Sequence, residues 1–348
     1  MHERLRDMFS KPSELPDEQI EQLTIDFRMK KTVDEQNYLT NDNIELLISK
    51  IDGYHPWFTR PHLSNALQSF GDGLQSGSRQ LLMQNKLTSA STLGFWLRPL
   101  SPFDGMMPLF VSLLNGFRCI IKTDTTEQKH YEAFFHLLEN YFPGIAANAE
   151  FADKPFGTVS GYVIAGEKPA ETQMKYLSSK PLFSEVLPEN GPIAYITDNE
   201  TNEELDALAT DICMYFGRSI HNISELLVPE SYDFSSLLRS LKKFDWYSNH
   251  SRYFNHYEYR KAAFLVSGES FIDNGFLLIR KNNLNARHTG VLNYREYKTS
   301  AEIMELTAGK KVYCSKPEPA KSERLFGSSV NEFRNADRFI SFLNTFSK

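Results

Sequence analysis

Three cysteines supply every thiol in the chain: Cys119, Cys213 and Cys314. The thiolate is the nucleophilic and metal-binding form of cysteine, so their spacing bears on both chemistries. Their odd number, wide spacing and lack of a CxxC pair give neither a disulfide framework nor a thiolate zinc site. Cys119 falls within a strand-like run, and Cys213 flanks the apolar stripe of a helix; both positions read as buried thiols acting as small hydrophobes. The loop Phe216-Gly217-Arg218-Ser219-Ile220-His221-Asn222 follows that helix. Ser219 and His221 could support acyl transfer there, yet residues two apart often point away from each other, and no orienting acid is identifiable. A loop serine and a solvated or core histidine is the plainer reading. The run from Trp246 to Tyr259 mixes six aromatics with Asn249, His250, Arg252 and His256, which resembles a base-stacking platform. A net charge of −6 opposes that, and leaves no pull toward nucleic acid or anionic membrane. The short Leu325-Phe326-Gly327-Ser328-Ser329 segment could hold an anion but reads as a turn.

These groups need elements to position them. Residues 1 to 90 are polar with helical patches at Asn41 to Ile51 and His62 to Phe70, separated by the aromatic turn His55 to Thr59. From about residue 92 strands alternate with helices. Strands are expected at Leu93 to Leu97, Arg118 to Lys122, Val159 to Ala165, Pro192 to Ile196 and Glu225 to Val228. Helices are expected at Met107 to Asn115, Glu127 to Tyr141 and Glu171 to Tyr176. Such alternation implies a parallel sheet covered by helices. Thr201 to Phe216 is the best-specified helix: Thr201 and Glu204 fit a capping box, Leu205, Leu208, Ala209, Ile212 and Phe216 form an apolar stripe, and Gly217 suits a left-handed end. Further on come a helix at Phe234 to Leu241, strands near Phe276 to Ile279, Gly290 to Tyr294 and Lys311 to Cys314, and an amphipathic helix near Asn335 to Phe346. The charged N-terminus MHERLRDMFSKP has no apolar h-region, and the longest apolar stretch, Met106 to Phe117, is too short to span a bilayer. A cytoplasmic protein is the expectation.

Several blocks together resemble the bacterial acyl-CoA reductases of the LuxC type, and more distantly the aldehyde dehydrogenase superfamily. They are residues 198 to 217 (DNETNEELDALATDICMYFG), 221 to 234 (HNISELLVPESYDF), 249 to 262 (NHSRYFNHYEYRKA) and 271 to 281 (FIDNGFLLIRK), with the turn PWFT at 56 to 59 and the helix–Gly–strand unit ending at Lys122. The resemblance implies an α/β, aldehyde-dehydrogenase-like fold: a Rossmann-like domain over 1–190 with 321–348, and a smaller α/β catalytic-type domain over 191–320. It also implies NADPH-dependent reduction of a fatty acyl-CoA or acyl-protein thioester to an aldehyde through a cysteine acyl-enzyme.

The family's loop has the form Phe-Gly-x-Gly-Cys-Arg-Asn. Phe216, Gly217 and Asn222 match it, but Ser219, Ile220 and His221 replace the second glycine, the cysteine and the arginine. Isoleucine has no lone pair and forms no acyl-enzyme, which leaves Cys213, seven residues earlier, as the one nearby substitute. On the cofactor side Pro102 alone survives from a Gly-Asn-Ile-Pro turn, Lys122 matches the lysine of the ribose region, and Gly166 is kept from a Thr-Gly-Ser turn. Glu167 then brings a carboxylate to the phosphate position, where like charge opposes binding. Two functions follow as expectations. One is an NADPH-dependent acyl-CoA reductase with an unusual nucleophile or direct hydride transfer. The other is a non-catalytic homologue that binds acyl groups or serves as a partner or regulatory subunit of an active reductase or acyl-transfer protein.

Overall fold

A computed structural model describes residues 17–28, 42–75, 91–152, 156–188, 191–281, 287–317, 323–329 and 336–346. The expected helix start at Asn335 and the N-terminal segment 1–16 lie outside them. The described residues fall into two compact units, one from 1–186 and 333–348, the other from 187–332.

The first unit opens with helices α1 (Asp17–Arg28), α2 (Asp42–Asp52) and α3 (Arg60–Gln75). Then β1 (Thr92–Arg98), α4 (Met106–Leu114), β2 (Arg118–Lys122), α5 (Thr125–Leu138), β3 (Ala149–Phe151), β4 (Gly161–Gly166), α6 (Glu171–Leu177) and β5 (Leu182–Val186) alternate. The five strands form one parallel sheet in the order β3-β2-β1-β4-β5. Parallel strands need crossovers, and α4, α5 and α6 supply three of them. Strand β4 is buried along its length and reads Gly-Tyr-Val-Ile-Ala-Gly, the near-continuous apolar run of a strand covered on both faces. Helix α5 starts where the Asp124 carboxylate accepts the N–H groups of Thr126 and Glu127, each at 3.0 Å.

The second unit contains β6 (Ile193–Tyr195), α7 (Asn202–Cys213), β7 (Glu225–Pro229), α8 (Ser235–Leu241), α9 (Ser251–Ser267), β8 (Ile272–Asp273), β9 (Leu278–Lys281), β10 (Val291–Tyr297), α10 (Ser300–Thr307), β11 (Val312–Cys314) and β12 (Arg324–Leu325). Its sheet runs β12-β11-β6-β7-β10-β9-β8 and is parallel except at the β8–β9 edge. A terminal helix, α11 (Ala336–Leu343), returns to the first unit and packs Phe339 against Phe183 of β5, with ring centroids 4.9 Å apart. No described helix is long and apolar enough to cross a membrane.

The capping box expected at Thr201 is present: the Thr201 N–H donates to Glu204 Oε2 at 2.8 Å, and the Glu204 N–H to Thr201 Oγ1 at 3.2 Å. The far end of this helix differs from expectation. It closes at Cys213, three residues short of Phe216. Tyr215, Phe216 and Gly217 then all take left-handed backbone, with φ of 56°, 60° and 64°.

Candidate functional site

The segment joining α7 to β7 carries the residues singled out from the sequence, and its shape is enforced from outside. Left-handed backbone costs a residue with a Cβ about 1–2 kcal/mol, so Tyr215 and Phe216 together cost about 2–4 kcal/mol. Only Gly217 takes its place in that run freely. Aromatic packing offsets the strain. The Phe216 ring lies 4.4 Å from Tyr247, 4.4 Å from His250 and 5.2 Å from Tyr253, centroid to centroid. Burying a phenylalanine contributes about 1.5–3 kcal/mol, and each aromatic pair about 0.5–1.5 kcal/mol more. The Tyr247 hydroxyl donates to the Cys213 carbonyl at 2.7 Å and accepts the Phe216 N–H at 3.3 Å, satisfying the helix end. Arg287 reaches across 70 residues of sequence and donates through Nη2 to the Gly217 carbonyl at 3.0 Å and to the Ser219 carbonyl. Burial lowers the Arg287 guanidinium to about 10, so it stays a cation at neutral pH.

Asp211, on the last turn of α7, ties the loop down. Its carbonyl accepts Asn222 Nδ2 at 2.9 Å and the Ile223 N–H at 3.0 Å. Its buried carboxylate accepts the Gly327 N–H at 2.6 Å, the Ser329 N–H at 3.0 Å and Ser329 Oγ at 2.6 Å. The Gly-Ser loop at 325–329 therefore does hold an anion, and that anion is the chain's own. Asn222 serves here as a strut, with its Oδ1 buried and without a hydrogen-bond partner among the described residues.

Chemically the loop is quiet. Ile220 is buried, only 9 % exposed, at the position where the resemblance implies a cysteine. Ser219 is buried as well, and its Oγ accepts the His221 backbone N–H at 3.3 Å, an internal turn contact between the two residues. Cys213 is 3 % exposed, and burial raises its thiol far above the ordinary cysteine range. Burial does the same to Cys119 in β2. Burial first, with Glu323 nearby, raises Cys314 to about 11. All three thiols therefore stay protonated at neutral pH, whereas acyl transfer needs the thiolate. A pocket of about 340 Å³, open solvent included, lies beside the loop against Cys213, Gly217, Ser224, Arg287 and His288; Ile220 does not line it. Among the described residues no group of three or more His, Cys, Asp or Glu is placed to hold a metal ion.

Pro102, Lys122 and Gly166 all come to the carboxyl edge of the five-stranded sheet. Lys122 ends β2 in register with Trp96 and holds its Nζ 4.8 Å from the Trp96 ring centroid, a cation–π contact. Pro102 is buried in the β1–α4 loop. Gly166 ends β4 opposite Arg98 with φ 91°, and a Cβ there would stand 1.9 Å from the Arg98 carbonyl oxygen. Its lack of a side chain is thus explained by the neighbouring strand. This edge is where β1 and β4 send their following helices apart, the switch point at which doubly wound sheets bind nucleotides. Here the two strands stay bonded past their ends, with Glu167 N–H to Arg98 O at 2.8 Å and Arg98 Nη2 to Glu167 Oε2 at 2.7 Å.

Solved structures share this fold. A mutant aldehyde dehydrogenase C of Pseudomonas syringae, complexed with NAD+ and octanal, superposes with a TM-score of 0.62 at 9 % identity, covering 88 % of this chain and 75 % of its own. The lactaldehyde dehydrogenase of Escherichia coli gives 0.61 at 10 %, covering 88 % and 77 %. A 3,6-anhydro-L-galactose dehydrogenase in complex with NAP gives 0.64 at 10 %, covering 92 % and 81 %. The fold is that of the aldehyde dehydrogenases. No protein-family model and no curated protein sequence matches the chain.

Among the loop-holding residues, sequence reasoning missed Arg287 and Asp211, whereas Tyr247 belongs to the aromatic run that the resemblance implies packs beside the loop. Asp211 left a signal, because it stands three residues after Leu208 and beside Ile212, an acid within the apolar stripe. Arg287 left none, since its partners are backbone atoms distant in sequence.

Proposed function

We propose that this chain is a non-catalytic relative of the acyl-CoA reductases, an aldehyde-dehydrogenase-fold protein that binds an acyl group or acts as the partner or regulatory subunit of an active reductase. One observation carries the reading: all three cysteines of the chain are buried as thiols, while Ile220 stands where the resemblance implies the nucleophile. Burial and a raised thiol oppose the substitute role for Cys213. The unit holding β6 to β12 is on this reading the former thioester domain, and the unit holding β1 to β5 the former cofactor domain. NADPH, the family's reductant, then has no acyl-enzyme to reduce. The octanal in the Pseudomonas syringae neighbour supports an aliphatic acyl or aldehyde group as the ligand class.

The test is turnover. Purified protein is incubated with NADPH and fatty acyl-CoAs of several chain lengths, and NADPH oxidation and aldehyde are followed. No turnover is expected, together with a change in the rate of an active acyl-CoA reductase when the two proteins are mixed. Reduction that disappears in Cys213→Ala overturns the proposal. Activity appearing in Ile220→Cys would assign the silence to that one side chain.

A further inference from the structure

The residues at the switch point do not fit a dinucleotide. We infer that the anion cradle at the β1–α4 loop is filled by the chain's own Asp104, so that the five-stranded unit binds no dinucleotide phosphate there.

Four observations support this. A pyrophosphate at a switch point is held by free backbone N–H groups of the first strand–helix turn and by the following helix N-terminus. In this loop the N–H groups of Leu100 and Ser101 converge at 2.8 and 3.0 Å on one oxygen, Asp104 Oδ2, while Ser101 Oγ donates to Oδ1 at 2.5 Å. That is the donor set a phosphate would use, already satisfied by a carboxylate. Tyr131 locks the residue in place by donating its hydroxyl to the Asp104 carbonyl at 2.8 Å. Second, the first turn of α4 has few donors to spare. Met106 gives its N–H to the Phe103 carbonyl at 2.9 Å, and Pro108 has no N–H.

Third, the turn after β4 presents acid. Glu167 lies at the strand end, Glu171 in the first turn of α6, Pro169 lacks an N–H, and Ala170 gives its own to Gln173 Oε1 at 3.0 Å. The Glu171 carboxylate repels a doubly charged pyrophosphate, while Glu167 is taken up by Arg98 at 2.7 Å. Fourth, the Arg98–Glu167 pair lies at the carboxyl ends of β1 and β4, the edge over which a dinucleotide would lie. The Arg98 guanidinium, the one cation of this pair, is engaged with Glu167.

The experiment measures ligand-induced stabilisation of the full chain. NADPH and NADP+ at about 1 mM are expected to leave the unfolding midpoint unchanged, whereas a ligand at about a hundred times its Kd shifts a domain of this size by roughly 5 °C or more. Saturable binding of NADPH tighter than about 0.1 mM overturns the inference. Asp104→Ala frees the two N–H groups, and inorganic pyrophosphate is expected to raise its midpoint but not the parent's; an unresponsive, folded Asp104→Ala overturns the cradle. Should that variant not fold, amide exchange in the parent decides: Leu100 and Ser101 are slow if Asp104 holds them, and fast exchange there refutes it. These outcomes are independent of the missing nucleophile. NADPH binding without turnover sinks this inference and leaves the non-catalytic reading intact.

Discussion

Asp211→Ala is the perturbation whose cost follows most directly from the structure. The change removes a buried carboxylate that accepts three hydrogen bonds from the 327–329 loop. Ser329 is fully buried, so its N–H loses its partner with no water to replace it, at about 1–3 kcal/mol. The Gly327 N–H is half-buried and recovers water, which limits its loss to about 1 kcal/mol. Ser329 Oγ can rotate toward another acceptor and adds little. The expected sum is about 3 kcal/mol, a large share of the roughly 5–15 kcal/mol that holds a domain together. Urea unfolding followed by tryptophan fluorescence measures it, with Trp246 reporting on the affected unit. Asp211→Asn, which keeps one acceptor oxygen but turns a donor toward donors, should fall between the two. An Asp211→Ala protein within about 1 kcal/mol of the parent refutes the reasoning, because the loop would then be held by something other than this carboxylate.

Three further outcomes are expected. His130 of α5 is fully buried between Phe58 and Phe103, with His55 6.0 Å away and neither ring nitrogen hydrogen-bonded among the described residues, and burial first, then His55, lowers its pKa well below the ordinary 6.5. The unfolded chain therefore takes up a proton that the folded chain refuses, so stability is full above about pH 6.5 and falls by about 1.4 kcal/mol per pH unit below it, until the lowered folded pKa is reached. His130→Phe should flatten that part of the acid limb in a pH series of urea melts; an unchanged slope contradicts the assignment. Tyr247→Phe strands the Cys213 carbonyl and the Phe216 N–H, and should cost about 1–3 kcal/mol by thermal melting while leaving the aromatic cluster packed. Iodoacetamide at pH 7.5 should leave all three cysteines unmodified in the native protein and label all three in urea, as read by intact mass; rapid native labelling of Cys213 would restore it as a nucleophile.

Local chemistry carried much of the fold. The start of α7 was legible because a capping box is a contact among four consecutive residues, and β4 was legible because a strand buried on both faces must be apolar throughout. The end of α7 was not. The 3.6-residue stripe runs through Phe216, but Tyr247, more than 30 residues on, captures the Cys213 carbonyl where the chain turns left-handed. Helix α9 hid inside the aromatic run 246–264, where side chains of modest helix propensity are held helical by packing of Tyr253, Tyr257 and Phe264. The short edge strands β3, β8 and β12 carry too few residues for a period to show.

What the sequence determined by itself is residue chemistry: Ile220 has no lone pair in any fold, and Glu167 is an acid wherever it sits. Whether another group could stand in was decided only by tertiary structure. Thiol reactivity depends on solvation, and it is the packing around α7 and the strands that buries Cys213, Cys119 and Cys314. Whether an N–H is free depends on what else reaches it, and Asp104 and Asp211 are the carboxylates that fold onto the anion cradles of this chain. Residue type states which reactions are impossible; burial and hydrogen-bond partners, which no local pattern encodes, decide which of the remaining ones are open.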